Sequence, residues 1–145
     1  MKLLIQRVQN AEVSVEGEIV GKIGKGFLVL CGITHSDTEQ EADYLAKKLC
    51  NLRVFEDENK KMNLSVKDVN GELLIVSQFT LYADCSSGNR PSFTNAAKPN
   101  EANKLYEYFI EKCKSYVLKV ETGIFGADMQ ISLINDGPVT IMLEK

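Results

Sequence analysis

The chain has 145 residues, of which 44% are hydrophobic and 26% are charged, a composition typical of a soluble globular protein and not of a disordered or collagen-like chain. Its length matches one domain, which we expect to span residues 1–145. With 17 Lys and Arg residues against 20 Asp and Glu residues, the net charge of −3 excludes a protein that coats nucleic acid by charge alone.

The first third of the chain predicts β-structure. Between positions 11 and 15, apolar residues alternate with polar ones, which is the pattern of a strand with one buried face. Turns that contain Gly17 and Gly26 separate the apolar segments that follow. The expected strands, joined as an antiparallel meander, cover residues 3–8, 11–15, 19–23 and 27–33.

Two segments have the apolar spacing of amphipathic helices. Before the first, Thr38 and Glu41 have the spacing of a capping box, in which each side chain accepts a hydrogen bond from a free backbone N–H at the helix start. The apolar stripe of the first helix comprises Ala42, Leu45, Ala46, Leu49 and Cys50. The stripe of the second helix, which begins near Asn100, comprises Ala102, Leu105, Tyr106, Phe109, Ile110 and Cys113.

Further strands and one long loop complete the expected fold. A short strand is expected over residues 53–56 and a strong one over residues 72–81, whose two faces are both apolar as far as Val76. Mostly polar and small residues fill positions 84–100, and loops of this length are often functional. The last expected strands cover residues 117–121, 129–135 and 139–143. The expected fold is α/β, a single domain of two helices packed on strongly twisted, mainly antiparallel barrel-like sheets.

Polar side chains appear on both faces of the strong strand at its end. Ser77 joins the face of Leu73 and Ile75, whereas Gln78 and Thr80 join the opposite face. Buried hydroxyl and amide groups without partners cost about 1–3 kcal/mol each. The pattern fits either a pocket at the end of the strand or a strand that runs out into solvent.

A Gly-Pro pair lies in the segment 135–140, between two apolar strands. From local chemistry alone, Gly137-Pro138 predicts a hairpin turn with a trans peptide bond, since only about 5–6% of X-Pro bonds in folded proteins are cis.

The residue inventory limits the chemistry. His35 is the one histidine, which excludes a zinc site with several His ligands within one chain, and its place before a helix favours a solvated loop over a catalytic role. No G-x-S-x-G sequence is present. Cys31, Cys50 and Cys113 fall in apolar patterns and are expected to be buried, whereas Cys85 is the candidate reactive thiol.

No segment reaches the about 20 apolar residues that a membrane-spanning helix needs. We expect a cytoplasmic protein with reduced thiols, without membrane, metal or cofactor.

Three motifs together resemble the D-aminoacyl-tRNA deacylase family. They are SQFTL at positions 77–81, GNRPSF at 88–93 and NDGPVT at 135–140. The likeness extends over essentially the whole chain and includes IQRV at 5–8, NLRVF at 51–55 and TGIFGADM at 122–129. One departure is Ser86-Ser87, where the family often has basic residues before the loop glycine.

The resemblance implies a hydrolase of carboxylic esters that frees D-amino acids from the 3′ end of tRNA, rejects L-aminoacyl-tRNA and hydrolyses glycyl-tRNA, and so proofreads chirality in translation. It also implies a homodimer, in which the Gly-Pro pair of one subunit is cis and enters the pocket of the other as a chirality gate. The implied roles are catalytic for Ser77, Gln78, Phe79 and Thr80, gating for Gly137 and Pro138, bracing of the gate for Arg7, and packing around the substrate for Ala102 and Met129.

Two mechanisms and two rival functions stay open at this point. Backbone N–H groups near Phe79 and Thr80 can stabilise an oxyanion while the ribose 2′-hydroxyl assists the attacking water. Alternatively, Thr80 is a covalent nucleophile, although no adjacent base is evident. The first route is favoured. The rival functions are a binding module without turnover and a small-molecule esterase that uses Thr80 or Cys85.

Overall fold

The computed structural model describes residues 1–145, and it contains a mixed six-stranded sheet, a two-stranded hairpin and two α-helices. The helices are α1 (Glu39–Cys50) and α2 (Pro99–Lys114), and a short 3-10 helix covers Phe79–Tyr82. The strands are β1 (Lys2–Val15), β2 (Glu18–Ile23), β3 (Gly26–Gly32), β4 (Phe55–Glu56), β5 (Met62–Leu64), β6 (Glu72–Ser77), β7 (Val120–Thr122) and β8 (Gln130–Glu144).

The large sheet is built around the long strand β1. One edge of β1 pairs with β8 along nearly its whole length, whereas the other edge pairs first with β3 and then with β2. The expected meander is therefore wrong, because β3 returns to the first half of β1 instead of pairing with β2. Irregular register on both sides of Val8 lets β1 bend between its two partners.

The sheet curls until its ends nearly meet. β3, β6 and β7 pair in parallel, and the remaining pairs are antiparallel. At Gly21 on β2, a Cβ atom would lie 2.7 Å from the carbonyl oxygen of Thr122 on β7, so only glycine permits this approach. The mixed, barrel-like sheet with two helices agrees with the expected fold class.

The core lies on both faces of the sheet. The larger cluster joins both helices to one face, and α1 contributes the predicted stripe from Ala42 to Cys50. The smaller cluster fills the inside of the curl, between β1, β2, β3 and β6. Leu73 and Ile75 belong to the larger cluster and Leu74 and Val76 to the smaller one, so β6 is buried on both faces as predicted.

The capping box predicted for α1 is present. The N–H of Gln40 donates to Oγ1 of Thr38 over 3.2 Å, and the N–H of Thr38 donates to the carboxylate of Glu41 over 2.8 Å. Both contacts satisfy backbone donors that the first helical turn leaves free. None of the helices is long and apolar enough to cross a membrane.

Two segments differ from the sequence prediction at points that matter for the site. The strand expected over residues 72–81 ends at Ser77, and the chain continues into the 3-10 helix. The turn expected at Gly137-Pro138 is absent, because β8 runs on through this pair, and the peptide bond between the two residues is cis. The local prediction fails here because β1 pairs with β8 on both sides of the pair.

Candidate functional site

A cavity of about 640 Å³ opens where β6 ends. Its walls come from the end of β6, the loop before α2, the first turns of α2 and the segment that leads into β8. Of the 17 residues that line it, 12 are hydrophobic. Mainly apolar cavities of a few hundred Å³ with a small polar region are the usual form of small-molecule sites.

The polar side chains that line the cavity are those of Ser77, Gln78 and Lys98, and Phe79 follows Gln78 along the wall. The N–H of Gln78 donates to the carbonyl oxygen of Cys31 over 2.8 Å, which continues the pairing of β3 and β6 by one residue. The chain then turns into the 3-10 helix, whose first N–H groups have no acceptor within the helix. The polar residues at the end of β6 therefore belong to a cavity wall.

Thr80 lies beside the cavity and outside its wall. Its side chain is exposed, and its Oγ1 accepts a hydrogen bond from Nε2 of Gln78. The neighbour of the hydroxyl is thus an amide donor, which cannot take a proton from it.

An aromatic pair stands at the mouth of the cavity. The rings of Phe79 and Phe93 are 5.1 Å apart and meet edge to face at 75°. Phe79 is 55% exposed and Phe93 is 38% exposed, although both line the cavity. These rings offer an open apolar surface to a ligand that enters.

The loop before α2 is held in place by residues 33–35. The N–H of Ala97 donates to the carbonyl oxygen of Ile33 over 2.9 Å, and Oγ1 of Thr34 donates to that of Asn95 over 2.6 Å. His35 is exposed, and its Nε2 lies 2.8 Å from the carbonyl oxygen of Thr94. His35 therefore supports the loop from outside and does not line the cavity.

Ala102 and Met129, for which the resemblance implies packing around the substrate, both line the cavity. Met129 packs over Gly123, where a Cβ atom would lie 2.5 Å from its Sδ atom. Behind the wall, the hydroxyl of Tyr106 donates to the carbonyl oxygen of Ile75 over 2.8 Å, and burial raises the pKa of this tyrosine well above its ordinary value. Tyr106 therefore stays a neutral donor.

Gly137 and Pro138 lie elsewhere, on the exposed surface of β8, and do not line the cavity of their own chain. Arg7 packs against them and is 5% exposed. Its Nε donates to the carbonyl oxygen of Asp136 over 3.1 Å and lies 3.3 Å from the Asp136 carboxylate, while its Nη1 donates to the carbonyl oxygen of Val54 over 2.5 Å. A Cβ atom on Gly137 would lie 2.9 Å from Nη2 of Arg7.

The structure thus divides the expected site residues between two places. Ser77, Gln78, Phe79, Ala102 and Met129 surround the cavity, with Thr80 at its side, whereas Arg7, Gly137 and Pro138 form a second group on β8. Several apolar wall residues have no predicted role, namely Ile33, Phe93, Ala96, Ala97 and Phe125. Phe93 and Phe125 fall in matched motifs, which was the available signal, whereas small residues such as Ala96 and Ala97 carry none.

One cysteine, Cys31, lines the cavity, and its burial keeps the thiol protonated and unreactive. Cys31, Cys50 and Cys113 are buried as predicted, and burial raises the pKa of Cys31 well above its ordinary value. Cys85 is exposed and does not line the cavity. No group of three or more His, Cys, Asp or Glu side chains is arranged to hold a metal ion.

Comparison with known proteins places these features in a family. Residues 4–144 match the family model described as D-Tyr-tRNA(Tyr) deacylase. D-aminoacyl-tRNA deacylase from Thermosipho africanus is 61% identical, and the match covers 100% of this chain and 97% of that protein. The corresponding protein from Bacillus cytotoxicus is 57% identical, with 100% and 99% covered.

Two solved structures are also similar. One is titled c-Myc DNA Unwinding Element Binding Protein, with a TM-score of 0.93 and 46% identity over 100% of this chain and 99% of that one. The other is described as a probable eukaryotic D-amino acid tRNA deacylase, with a TM-score of 0.84 over 98% and 97% of the two chains. At 17% identity, the second likeness concerns the fold alone.

Proposed function

The chain belongs to the D-Tyr-tRNA(Tyr) deacylase family, and on this premise we propose that it hydrolyses the ester that joins a D-amino acid to the terminal ribose of tRNA. It rejects L-aminoacyl-tRNA and accepts glycyl-tRNA in part, so that it proofreads chirality in translation, in the cytoplasm. The observation that carries the proposal is the mainly apolar cavity with Ser77, Gln78 and Phe79 at its polar end.

The cavity suits an aminoacyl ester. Its volume of about 640 Å³ lies within the range of sites that enclose small ligands. Apolar walls accept the side chain and the sugar, while the polar end supplies hydrogen bonds to the ester. The exposed rings of Phe79 and Phe93 lie at the mouth, where the aminoacyl end enters while the rest of the tRNA stays outside the cavity.

The proposed catalysis uses the backbone and the substrate instead of acidic or basic side chains. The N–H groups of Phe79 and Thr80, at the start of the 3-10 helix, stabilise the oxyanion that forms when water attacks the ester carbon. One such donor typically contributes about 3–4 kcal/mol to transition-state stabilisation. The vicinal 2′-hydroxyl of the ribose assists the water and carries its proton to the leaving 3′-oxygen.

Thr80 is not the nucleophile in this proposal. A threonine hydroxyl needs a neighbouring base to become nucleophilic. The side chain that contacts Oγ1 of Thr80 is the amide of Gln78, which donates to it. Thr80 therefore holds the side-chain amide of Gln78, which lines the cavity that receives the ester.

The gate requires a second copy of the chain. Gly137 and Pro138 are exposed and do not line the cavity of their own chain, so they act in the cavity of a partner. Two large apolar side chains on the same strand, Ile134 and Met142, are 51% and 48% exposed. A homodimer that pairs the two β8 surfaces covers them and carries each gate to the other pocket.

Selection by the gate works through exclusion. The carbonyl oxygens of the Gly-Pro pair hold the amino group of the substrate, and an L-side chain then collides with the same backbone. D-side chains point into the open cavity, so many of them are accepted. Glycine has no side chain to exclude and passes in part.

The two rival functions make different predictions. A binding module retains the ester, and a general esterase cleaves simple esters without RNA. An esterase that uses Cys85 is disfavoured by the place of this thiol outside the cavity. No base contacts Thr80, which disfavours the threonine esterase.

A single-turnover assay separates these functions. Protein in excess over D-tyrosyl-tRNA is expected to release tyrosine, to leave p-nitrophenyl acetate intact and to tolerate thiol reagents. Ala102→Trp fills the cavity and abolishes release, whereas Glu107→Trp, on the exposed face of the same helix, does not. Retention of the ester by folded protein contradicts the proposal.

A further inference from the structure

The Gly-Pro pair sits in an unusually large bulge of β8. Val8 of β1 pairs with Asn135, and Gln6 pairs with Thr140. Between these two pairs, β1 advances by two residues and β8 advances by five. β8 therefore contains three additional residues at this point. An ordinary bulge has one additional residue. The segment 136–139 must project from the sheet at this point, opposite Arg7.

The first half of this bulge is held by Arg7. Its guanidinium contacts both the carbonyl oxygen and the carboxylate of Asp136, at 3.1 Å and 3.3 Å from Nε. The contact of Nη1 with the carbonyl oxygen of Val54 anchors the guanidinium in the core. The hydrogen bonds and the ion pair of Arg7 within the bulge end at Asp136, one residue before Gly137.

The second half is held by the side chain of Asn135. Its Oδ1 accepts a hydrogen bond from the N–H of Val139 over 2.9 Å, and its Nδ2 donates to Oγ1 of Thr140 over 3.0 Å. The side-chain amide of Asn135 thus connects the start of the bulge to its end. Pro138 has no N–H with which to form a ladder bond, so the side chain of Asn135 replaces backbone pairing at this point.

Asparagine suits this position because its amide is both donor and acceptor. Alanine would lose both hydrogen bonds and leave the half-buried N–H of Val139 without this acceptor. Thr140 takes part in only one of these two hydrogen bonds, through its hydroxyl. Loss of that hydroxyl is therefore a smaller change than loss of the Asn135 amide.

We propose that Asn135 is a positioning residue that, with Thr140, sets the direction of the Gly137 and Pro138 carbonyl oxygens and thereby the discrimination between D- and L-substrates. This inference rests on the proposed function, and it adds a residue that touches no substrate. Arg7 fixes where the projecting segment begins, and Asn135 fixes where it ends.

The test compares the ratio of kcat/KM for D-tyrosyl-tRNA to that for L-tyrosyl-tRNA in five proteins. These are the wild type, Asn135→Ala, Thr140→Val, Thr140→Ser and, as a matched control far from β8 in the sequence, Asn59→Ala, which changes an exposed asparagine. Asn135→Ala is expected to lower the ratio about tenfold or more, the effect of losing one to two hydrogen bonds. Thr140→Val lowers it less, and Thr140→Ser, which keeps the hydroxyl, restores it.

A merely structural role would change stability and lower the rates for D- and L-tyrosyl-tRNA together. The thermal unfolding of each variant is therefore measured as well, and the ratios are compared at a temperature at which all variants are folded. If Asn135→Ala does not fold, the Thr140 pair decides. A wild-type ratio in folded Asn135→Ala, or equal ratios in the two Thr140 variants, overturns the inference. A wild type that does not distinguish the two substrates refutes the proposed function instead.

Discussion

At the scale of single residues, Thr80 is the side chain on which the two mechanisms disagree. Removal of a covalent nucleophile typically costs a factor of 10⁴ or more in kcat, whereas removal of one hydrogen-bonding hydroxyl costs about tenfold. Because Oγ1 of Thr80 is contacted by an amide donor, we expect Thr80→Ala to keep at least about a tenth of the wild-type single-turnover rate. Complete loss of activity, with the fold and tRNA binding intact and with Thr80→Ser active, contradicts this expectation.

Arg7 is a buried polar residue whose loss we expect to lower stability. It is a buried cation whose donors serve the carbonyl oxygens of Val54 and Asp136. Arg7→Met keeps much of the apolar volume but leaves these oxygens without their donor, which costs about 1–3 kcal/mol for a buried group. Urea unfolding measures the change, with the exposed Arg53→Met as control. Equal midpoints for the two variants would show that the buried contacts contribute nothing.

The polar end of the site could be predicted from the sequence, and its apolar wall could not. Ser77 and Gln78 stand out because hydroxyl and amide groups interrupt a strand that is otherwise apolar on both faces. Ala96 and Ala97 line the cavity only because the backbone of their loop is bonded to residues 33–35, a contact between distant parts of the chain. Their own side chains carry no sign of that contact.

At the scale of elements, α1 links stability to pH through its capping box. The Thr38 hydroxyl donates to the carboxylate of Glu41 over 2.6 Å, and this bond together with that from the Thr38 N–H holds the pKa of Glu41 below its ordinary value of 4.5. A lowered pKa in the folded state means that ionised Glu41 stabilises the fold above pH 4.5, and that this contribution is lost as the pH falls through the lowered value.

We therefore expect Thr38→Ala to destabilise the protein by about 0.5–2 kcal/mol at neutral pH. The difference from the wild type should narrow as the pH falls below 4.5, because protonated Glu41 no longer benefits from the hydroxyl. Chemical unfolding between pH 3 and 7 measures both effects, and Ser36→Ala, two residues earlier and exposed, is the control. A difference that widens at low pH contradicts the assignment.

Helices were easier to predict than the pairing of strands. Both helices follow from local signals, a capping box and apolar spacing within one segment. The alternation of β1 to β3 shows which faces are buried but not which strands are neighbours, so the meander was the wrong topology. Likewise, nothing local in the Gly-Pro segment reveals that β1 pairs on both sides of it. The family resemblance, and not strand chemistry, pointed to a cis bond there.

At the scale of the whole molecule, the proposed dimer predicts that β8 carries the contact. Ile134→Lys places a charge at an exposed apolar position of β8 and is expected to convert a dimer into a monomer and to reduce deacylation with it. Ile19→Lys is a matched control, since Ile19 is 54% exposed on β2 and Ile134 is 51% exposed. Light scattering after size exclusion gives the mass. A monomeric wild type, or a dimeric and fully active Ile134→Lys, contradicts the shared site.

The overall charge agrees with a narrow contact with RNA. A net charge of −3 suits a protein that grips the acylated end of tRNA and leaves most of its backbone free. The single histidine likewise suits catalysis by main-chain donors and a ribose hydroxyl. Both features are compatible with the proposed function.

The most direct test of the central claim is the hydrolysis of D-tyrosyl-, D-aspartyl-, glycyl- and L-tyrosyl-tRNA by the purified protein under identical conditions. We expect rapid release of both D-residues, slower release of glycine, and release of L-tyrosine at the rate seen without protein. Rapid release of L-tyrosine would contradict a gate built from backbone carbonyl groups.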